Sequence, residues 1–264
     1  MEEAFTNPAR ARKKLYMNHW LDTKHKIQQG TAVPCFCADM AKVQEEEGFS
    51  DDLAAYTSGT ILEAGSDTTS NTLYAFVQAM LLFPDAQRKL QQHLDLVIGD
   101  QRMPEMSDYD NLPYVRCCMK ECLRWMPTTP SSFPHAVTED DHYRGYRIPK
   151  GAGILLNAYT IQMDPRRHPE PRRYDPDRYL DDTQSLADSA ASPDPSQRDT
   201  FVFGAGRRIC QGMHVAERSL FLGIARLMWA FDITPTRDAK GERSGRTRRG
   251  IRKGLCAGRR TSNA

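Results

Sequence analysis

A glycine-rich loop brings one cysteine to the predicted start of a helix. The segment reads Phe203-Gly204-Ala205-Gly206-Arg207-Arg208-Ile209-Cys210-Gln211-Gly212. The glycines let the backbone turn and approach a flat ligand closely. The positive end of a helix favours a thiolate, so Cys210 is a candidate metal ligand, and the planar guanidinium of Arg208 suits a carboxylate. A phosphate loop is excluded because no Lys-Ser or Lys-Thr pair follows the glycines.

A second polar group interrupts a long apolar segment that begins after Ser50 and ends at Pro84. Its centre reads Ala64-Gly65-Ser66-Asp67-Thr68-Thr69. In a helix, Gly65 and Thr68 lie one turn apart, so a missing side chain and a hydroxyl can open a groove, and Asp67 supplies a proton source. The alternatives are a weakly helical break, or hydroxyls that bond back to their own helix in the core.

A third group is the pair Glu121 and Arg124, which lie three residues apart and therefore share one face of a predicted helix. Such a pair is most often a solvated surface bridge. His135 stands alone, and a lone histidine is more often a surface or core residue than a ligand.

Proline and glycine positions and apolar periodicity predict the elements that carry these groups. Residues 1–49 are predicted to form two or three helices, and the final helix is predicted to begin at Cys210. Residues 142–149 and 153–161 should form a hairpin around Pro149-Lys150-Gly151. The remaining predictions are a helix over 50–84, helices over 84–98 and 112–125, and irregular chain over 164–200.

Composition excludes several classes of protein. The 264 residues are 39% hydrophobic and 27% charged, which argues against a collagen-like, coiled-coil or disordered chain. Seven scattered cysteines without a secretory segment argue against a disulfide scaffold. No run of about 18 uncharged apolar residues is present, so no membrane span is predicted. Residues 237–264 carry ten Lys and Arg against two Asp and Glu, which predicts a basic, disordered tail.

The cysteine loop resembles the haem loop of the cytochrome P450 family, Phe-x-x-Gly-x-Arg-x-Cys-x-Gly, at all five fixed positions. The resemblance implies a mainly α fold with a small β-hairpin region, and haem b bound through the Cys210 thiolate. Arg208 would bind a haem propionate. The loop residues implied to contact the haem are Phe203, Gly204, Gly206, Arg208, Cys210 and Gly212.

Other motifs of the same family occur in the expected order. The segment from Glu121 to Arg124 is similar to the family's Glu-x-x-Arg motif, and Pro176-Asp177-Arg178 is similar to its Pro-x-Arg segment. The resemblance implies that Glu121, Arg124 and Arg178 form a buried charge cluster that holds the haem loop.

The centre of the long helix is similar to the family's oxygen-binding motif. The resemblance implies that Asp67 and Thr68 deliver protons during oxygen activation beside the groove at Gly65. It also implies that His135 binds a propionate, as in some members of the family.

The resemblance runs from about residue 50 to residue 231 and predicts three parts: a helical segment over 1–49, a haem-thiolate core over 50–236, and the tail over 237–264. In the family, the N-terminal part commonly holds an anchor in the endoplasmic reticulum membrane. We expect this part to be missing from the chain. As a result, we expect the chain to bind haem weakly. No apolar hairpin is expected after Pro235.

The function implied by the resemblance is a haem-dependent monooxygenase that inserts one atom of dioxygen into an apolar organic substrate, with electrons from a reductase. Two alternatives remain open. One is a non-catalytic haem-binding remnant, and the other is an interaction module that acts through the basic tail. Nucleic acid is not expected as a partner.

Overall fold

The structure is a computed structural model that describes residues 7–235 and the backbone of residues 255–259. As expected, it is mainly helical with small antiparallel sheets. The helices are α1 (Pro8–Gln28), α2 (Phe36–Glu47), α3 (Asp51–Leu82), α4 (Pro84–Val97), α5 (Pro113–Trp125), α6 (Ala158–Gln162), α7 (Leu186–Ala191) and α8 (Met213–Ala230). Short 3-10 turns occupy Met106–Asp108, Pro176–Tyr179, Pro195–Gln197 and Gly206–Arg208.

The chain divides into two compact units, residues 1–67 and 68–264. The first contains α1, α2 and the first half of α3, so the predicted helices of the N-terminal segment are present. Its small core packs Tyr16 and Trp20 against alanines of α2 and α3. The Trp20 Nε1–H and the Lys24 ammonium donate to Asp51 Oδ1 at 2.8 and 2.9 Å. Hydrogen bonds from Trp20, Gln44 and Lys24 lower the pKa of Asp51 to about 2.

The second unit is built around α5, whose residues 114–124, apart from Arg116, are buried. Helices α4 and α8 and the second half of α3 pack around it through a continuous apolar core. Proline residues at the start of α4 and α5 explain why the sequence predicted these helices within two residues of their observed bounds.

Helix α3 continues through residues 64–71, so a weakly helical break is not present. Its hydroxyls bond back to the helix: Ser66 Oγ donates to the Leu62 carbonyl at 2.7 Å and Thr72 Oγ1 donates to the Thr68 carbonyl at 2.9 Å. These bonds satisfy polar side chains within the helix. Residues 61–68 of this helix are exposed.

The predicted hairpin around Pro149-Lys150-Gly151 is wrong in its pairing. Strand β2 (Asp141–Tyr143) pairs with β3 (Tyr146–Ile148), and β1 (His135–Ala136) pairs with β4 (Gly153–Ile154), both antiparallel. The turn is Arg144-Gly145, where both residues have positive φ, +49° and +83°. Two residues in this conformation match the twist of a tight hairpin, so Gly145 was the missed turn signal. Residues 158–161, predicted as strand, belong to α6.

The tail contains one strand that the sequence analysis did not predict. Strand β5 (Phe231–Pro235) pairs antiparallel with β6 (Leu255–Arg259), which corrects the expectation of disorder for residues 255–259. The pairing satisfies backbone donors and acceptors of β5. The rest of the predicted tail lies outside the described residues.

No helix in the described part of the chain is both long enough and apolar enough to cross a bilayer.

Candidate functional site

The loop that carries Cys210 is closed by its own backbone. The Cys210 N–H donates to the Phe203 carbonyl at 2.8 Å, and the Gly204 N–H donates to the Phe201 carbonyl at 3.1 Å. Gly204 and Gly206 have φ values of +79° and +63°. Other residues are strained in that region, so both glycines are required by the turn itself. The closed turn places a cysteine at the end of a rigid backbone loop.

The Cys210 side chain is exposed. Its Sγ lies 3.9 Å from the point that a Cβ on Gly212 would occupy, so the open side of Gly212 faces the thiol. Helix α8 begins at Met213, three residues after Cys210, with Gly212 as its N-cap. The prediction that this helix begins at Cys210 is therefore wrong, because Cys210 lies in no helix and Gln211 and Gly212 form a turn.

Three other cysteines are buried in the core. Burial raises the pKa of the Cys117 thiol to about 11, and it also raises the pKa of Cys118 and of Cys122. Cys117 Sγ contacts the Tyr179 carbonyl at 3.3 Å, and Cys122 Sγ contacts the Thr72 carbonyl at 3.2 Å. Thiols in such surroundings stay protonated and fill space.

The loop fits a prosthetic group that brings most of its own metal ligands. Among the described residues, no group of three or more His, Cys, Asp or Glu side chains is arranged to hold a metal ion. A single exposed thiol supplies one ligand, which is what a haem iron takes from the protein on one side. Glycines at 204, 206 and 212 leave room for a planar ring to approach the backbone. Arg208 is exposed beside them.

The pair Glu121 and Arg124 is buried, unlike the solvated bridge that such spacing most often forms. Both side chains are fully buried. Arg124 donates to Glu121 through Nε at 2.6 Å and through Nη2 at 2.8 Å, which is a two-pronged ion pair. Arg178 is the third charge, with Nε 3.5 Å from Glu121 Oε1.

Backbone groups complete this charge cluster. Arg124 also donates to the carbonyls of Gln162, Pro171 and Arg173, at 3.2, 2.8 and 3.0 Å. The Asp175 N–H donates to Glu121 Oε1 at 2.7 Å. Burial raises the pKa of Glu121, and these guanidinium and N–H groups oppose that shift. The cluster thus ties α5 to the irregular segment over 162–178.

A second buried charge lies beside this cluster and was not predicted from the sequence. The Lys120 ammonium lies 2.7 Å from Asp182 Oδ2 and 2.8 Å from Asp199 Oδ2, and its side chain is 2% exposed. The sequence offered only a partial signal: Lys120 is adjacent to Glu121 on α5, a helix whose other residues include several apolar ones. The two acids follow no pattern in the sequence, so their pairing could not be read from it.

The remaining candidates lie on exposed parts of two elements. Gly65, Asp67 and Thr68 are exposed on α3, and a Cβ on Gly65 would have no heavy atom of the described chain within 4 Å. His135 is exposed in β1, opposite Ile154 of β4. The joint action of Gly65, Asp67 and Thr68, and the contact of His135 with a propionate, stay predictions.

Comparison with known proteins identifies the family. The family model described as cytochrome P450 matches residues 5–251. Cytochrome P450 monooxygenase virE of Hypocrea virens is 53% identical over 221 residues, and cytochrome P450 monooxygenase fsoB of Humicola fuscoatra is 54% identical over 225 residues. Each match covers 84% of this chain, and 40% and 42% of the respective relative. The chain therefore spans about two fifths of the length of these curated relatives.

The fold agrees with that comparison. A solved structure of a zebra fish cytochrome P450 with abiraterone is 26% identical and superimposes with a TM-score of 0.72. The superposition covers 95% of this chain and 57% of the zebra fish chain. A family model that spans most of the chain and a shared fold lead to one conclusion: the chain belongs to the cytochrome P450 family.

Proposed function

We propose that this chain contributes the haem-thiolate part of a monooxygenase that inserts one atom of dioxygen into an apolar organic molecule. The observation that carries the proposal is the exposed Cys210 thiol at the end of a glycine-dependent loop closed by the bond from its own N–H to Phe203. The names of the relatives, which are monooxygenases, support the reaction class. A reductase partner is the proposed source of electrons.

In this proposal the chain holds haem b by its own residues. Cys210 would provide a thiolate ligand to the iron, and Phe203, Gly204, Gly206 and Gly212 would hold the ring. When bound, the haem supplies the iron centre at which dioxygen is activated, and the thiolate donates electron density to that centre. The propionates are assigned to two exposed side chains, Arg208 of the loop and His135 of β1.

Proton delivery is assigned to Asp67 and Thr68 of helix α3. Both are exposed, and Gly65, one turn earlier, leaves the helix surface open. A carboxyl and a hydroxyl next to each other can pass a proton from solvent to a neighbouring oxygen atom. The charge cluster of Glu121, Arg124 and Arg178 has a positioning role, because these side chains form hydrogen bonds and ion pairs with one another and with backbone groups.

The test is the absorption spectrum of the reduced, carbon-monoxide-treated chain after reconstitution with haem. The unaltered chain should give the red-shifted carbonyl band that is typical of thiolate ligation. Cys210→Ser should lose this band, because a hydroxyl is a poor ligand for the iron. Cys35→Ser is the matched control, since Cys35 is also exposed but lies outside the loop. A thiolate band that survives in Cys210→Ser would refute the assignment.

A further inference from the structure

A buried glutamine joins the charge cluster to the chain that leads into the cysteine loop. Gln162, the last residue of α6, is 1% exposed. Its Nε2–H donates to the Leu123 carbonyl of α5 at 2.8 Å. The backbone carbonyl of Gln162 accepts a hydrogen bond from Arg124 Nη1 at 3.2 Å. One side of this residue is therefore fixed to the helix that carries Glu121 and Arg124.

The other side of the Gln162 amide contacts the segment over 200–203. Gln162 Oε1 accepts hydrogen bonds from the Thr200 hydroxyl and the Phe201 N–H, both at 3.3 Å. Thr200 is 1% exposed and Phe201 is 7% exposed, so neither bond can be exchanged for one to solvent. A buried amide with all these partners has little freedom to rotate.

A short chain of backbone bonds connects this amide to Cys210. The Phe201 peptide is held on both sides, since its N–H donates to Gln162 and its carbonyl accepts from Gly204 at 3.1 Å. Two residues later, the Phe203 carbonyl accepts from the Cys210 N–H at 2.8 Å. A shift of residue 201 would therefore be transmitted to both hydrogen bonds that close the loop.

We propose that Gln162 is the positioning residue of the cysteine loop: its side-chain amide fixes residues 200–201 against α5 and thereby sets where the Cys210 thiol stands. The inference rests on the proposed function, in which Cys210 binds the haem iron. Gln162 itself touches neither the thiol nor the ring in this assignment. It acts on the thiol through the backbone of residues 201–204.

The chain offers a closely matched control in Gln87 of α4. Gln87 is 6% exposed, and its amide also bonds a backbone on both sides: Nε2 donates to the Ile233 carbonyl at 3.1 Å, and Oε1 accepts from the Ile233 N–H at 2.8 Å. Replacing either glutamine by leucine leaves buried backbone groups unpaired and should lower stability. Of these two glutamines, only Gln162 is bonded to residues 200–201, and the next residue is held by a bond from the Thr129 hydroxyl to the Val202 carbonyl at 3.1 Å.

The experiment compares Gln162→Leu with Gln87→Leu in the full chain. In the haem-free protein, hydrogen exchange of the amides over 201–210 should become faster in Gln162→Leu and stay unchanged in Gln87→Leu. After reconstitution, the ratio of thiolate-type carbonyl band to total bound haem should fall about tenfold in Gln162→Leu alone, as expected when a residue that orients a metal ligand is removed.

A milder variant keeps the test decisive if Gln162→Leu does not fold. Thr200→Val removes the hydroxyl that donates to Gln162 Oε1 and accepts from the Val202 N–H, and it leaves the bond from the Phe201 N–H to Gln162 in place, so it should produce a smaller change of the same kind. Equal exchange rates and equal band ratios for the variants at 162 and 87 would overturn the inference. Absence of the thiolate band from the unaltered chain would instead refute the proposed function, while the exchange result would still decide the role of Gln162 in ordering the loop.

Discussion

Arg124 donates five hydrogen bonds although its side chain has no exposed surface. A guanidinium has five N–H donors in a fixed plane, and here two reach a carboxylate and three reach carbonyls. Removing one partner of such a pair is costly, because the other charge stays buried without compensation. At the scale of single residues, this side chain is the most heavily bonded group in the candidate site.

We expect Arg124→Met to lower the free energy of unfolding by about 3–5 kcal/mol, because the Glu121 carboxylate is left buried beside three unpaired carbonyls. Urea unfolding of the haem-free chain measures this loss.

Two controls separate the buried charge from simple loss of packing. The double variant Glu121→Gln with Arg124→Met should recover part of the loss, since the fully buried carboxylate is removed and only Arg178, whose side chain is 14% exposed, keeps its charge. Arg166→Met, at an exposed pair with Asp164, should cost no more than about 1 kcal/mol. A loss in Arg124→Met as small as that of the surface variant would contradict the buried-charge account.

At the scale of elements, one glycine in each unit sets how closely two helices of that unit approach each other. In the first unit, a Cβ on Gly59 of α3 would overlap the ring of Tyr16 from α1. In the second, a Cβ on Gly223 of α8 would lie 2.9 Å from Cδ2 of Leu73 on α3. The Leu73 contact is with the end of a flexible side chain, so that site can adjust more easily. Helix packing on α3 thus depends most strongly on Gly59.

We expect Gly59→Ala to destabilise the first unit by about 1–3 kcal/mol, because the added methyl displaces the buried Tyr16 ring. Hydrogen exchange of α1 amides measures the change in that unit.

Gly65→Ala is the control on the same helix. A Cβ at that position meets no heavy atom of the described chain within 4 Å, so alanine should stabilise the helix by up to about 1 kcal/mol through its higher helix propensity. Equal changes in stability for Gly59→Ala and Gly65→Ala would show that helix propensity, and not the contact with Tyr16, determines the effect of the added methyl group.

At the scale of the whole molecule, the two units lose stability in different ranges of pH. In the first, the pKa of Asp51 is about 2, so its hydrogen bonds stabilise the fold above pH 4 and are lost as the pH falls towards 2. In the second, burial and then the charges of Arg124, Arg167 and Arg178 lower the pKa of His168 to about 4. His168 Nε2 is buried and has no hydrogen-bond partner among the described residues.

We expect the second unit to lose up to about 3 kcal/mol as the pH falls from 6.5 to 4, because the unfolded chain protonates His168 before the folded chain does. The stabilisation by neutral His168 is complete above pH 6.5, the ordinary pKa of histidine. Urea unfolding at pH 7 and pH 5, followed by amide exchange of α5, measures the difference.

His168→Gln should flatten this dependence, whereas His142→Gln, at an exposed site in β2, should leave it unchanged. Asp51 does not titrate in this range, so the first unit supplies an internal reference. If the free energy of unfolding of His168→Gln depended on pH as steeply as that of the unaltered chain, His168 would be ruled out as the cause of the pH dependence.

The sequence alone determined the family and the long helices, and both rest on local information. The haem-loop pattern occupies ten consecutive residues, and Pro84 and Pro113 mark helix starts because proline lacks the N–H that a helix interior requires. The candidate ligand Cys210 was therefore recognisable from its neighbours. The buried state of Glu121 and Arg124 was implied only by the family resemblance, since their spacing alone favours a surface bridge.

Only the tertiary structure decided what joins the cysteine loop to the rest of the second unit. Gln162 contacts residues 38 and 39 positions away in the sequence, and the partners of Lys120 are 62 and 79 positions away. The strand order was decided in the same way, because His135 pairs with Ile154 and Phe231 pairs with Arg259. Local periodicity depends on neighbouring residues, so it does not predict partners this far away in the sequence. A buried polar side chain is stabilised only by the donors and acceptors that the folded chain brings to it.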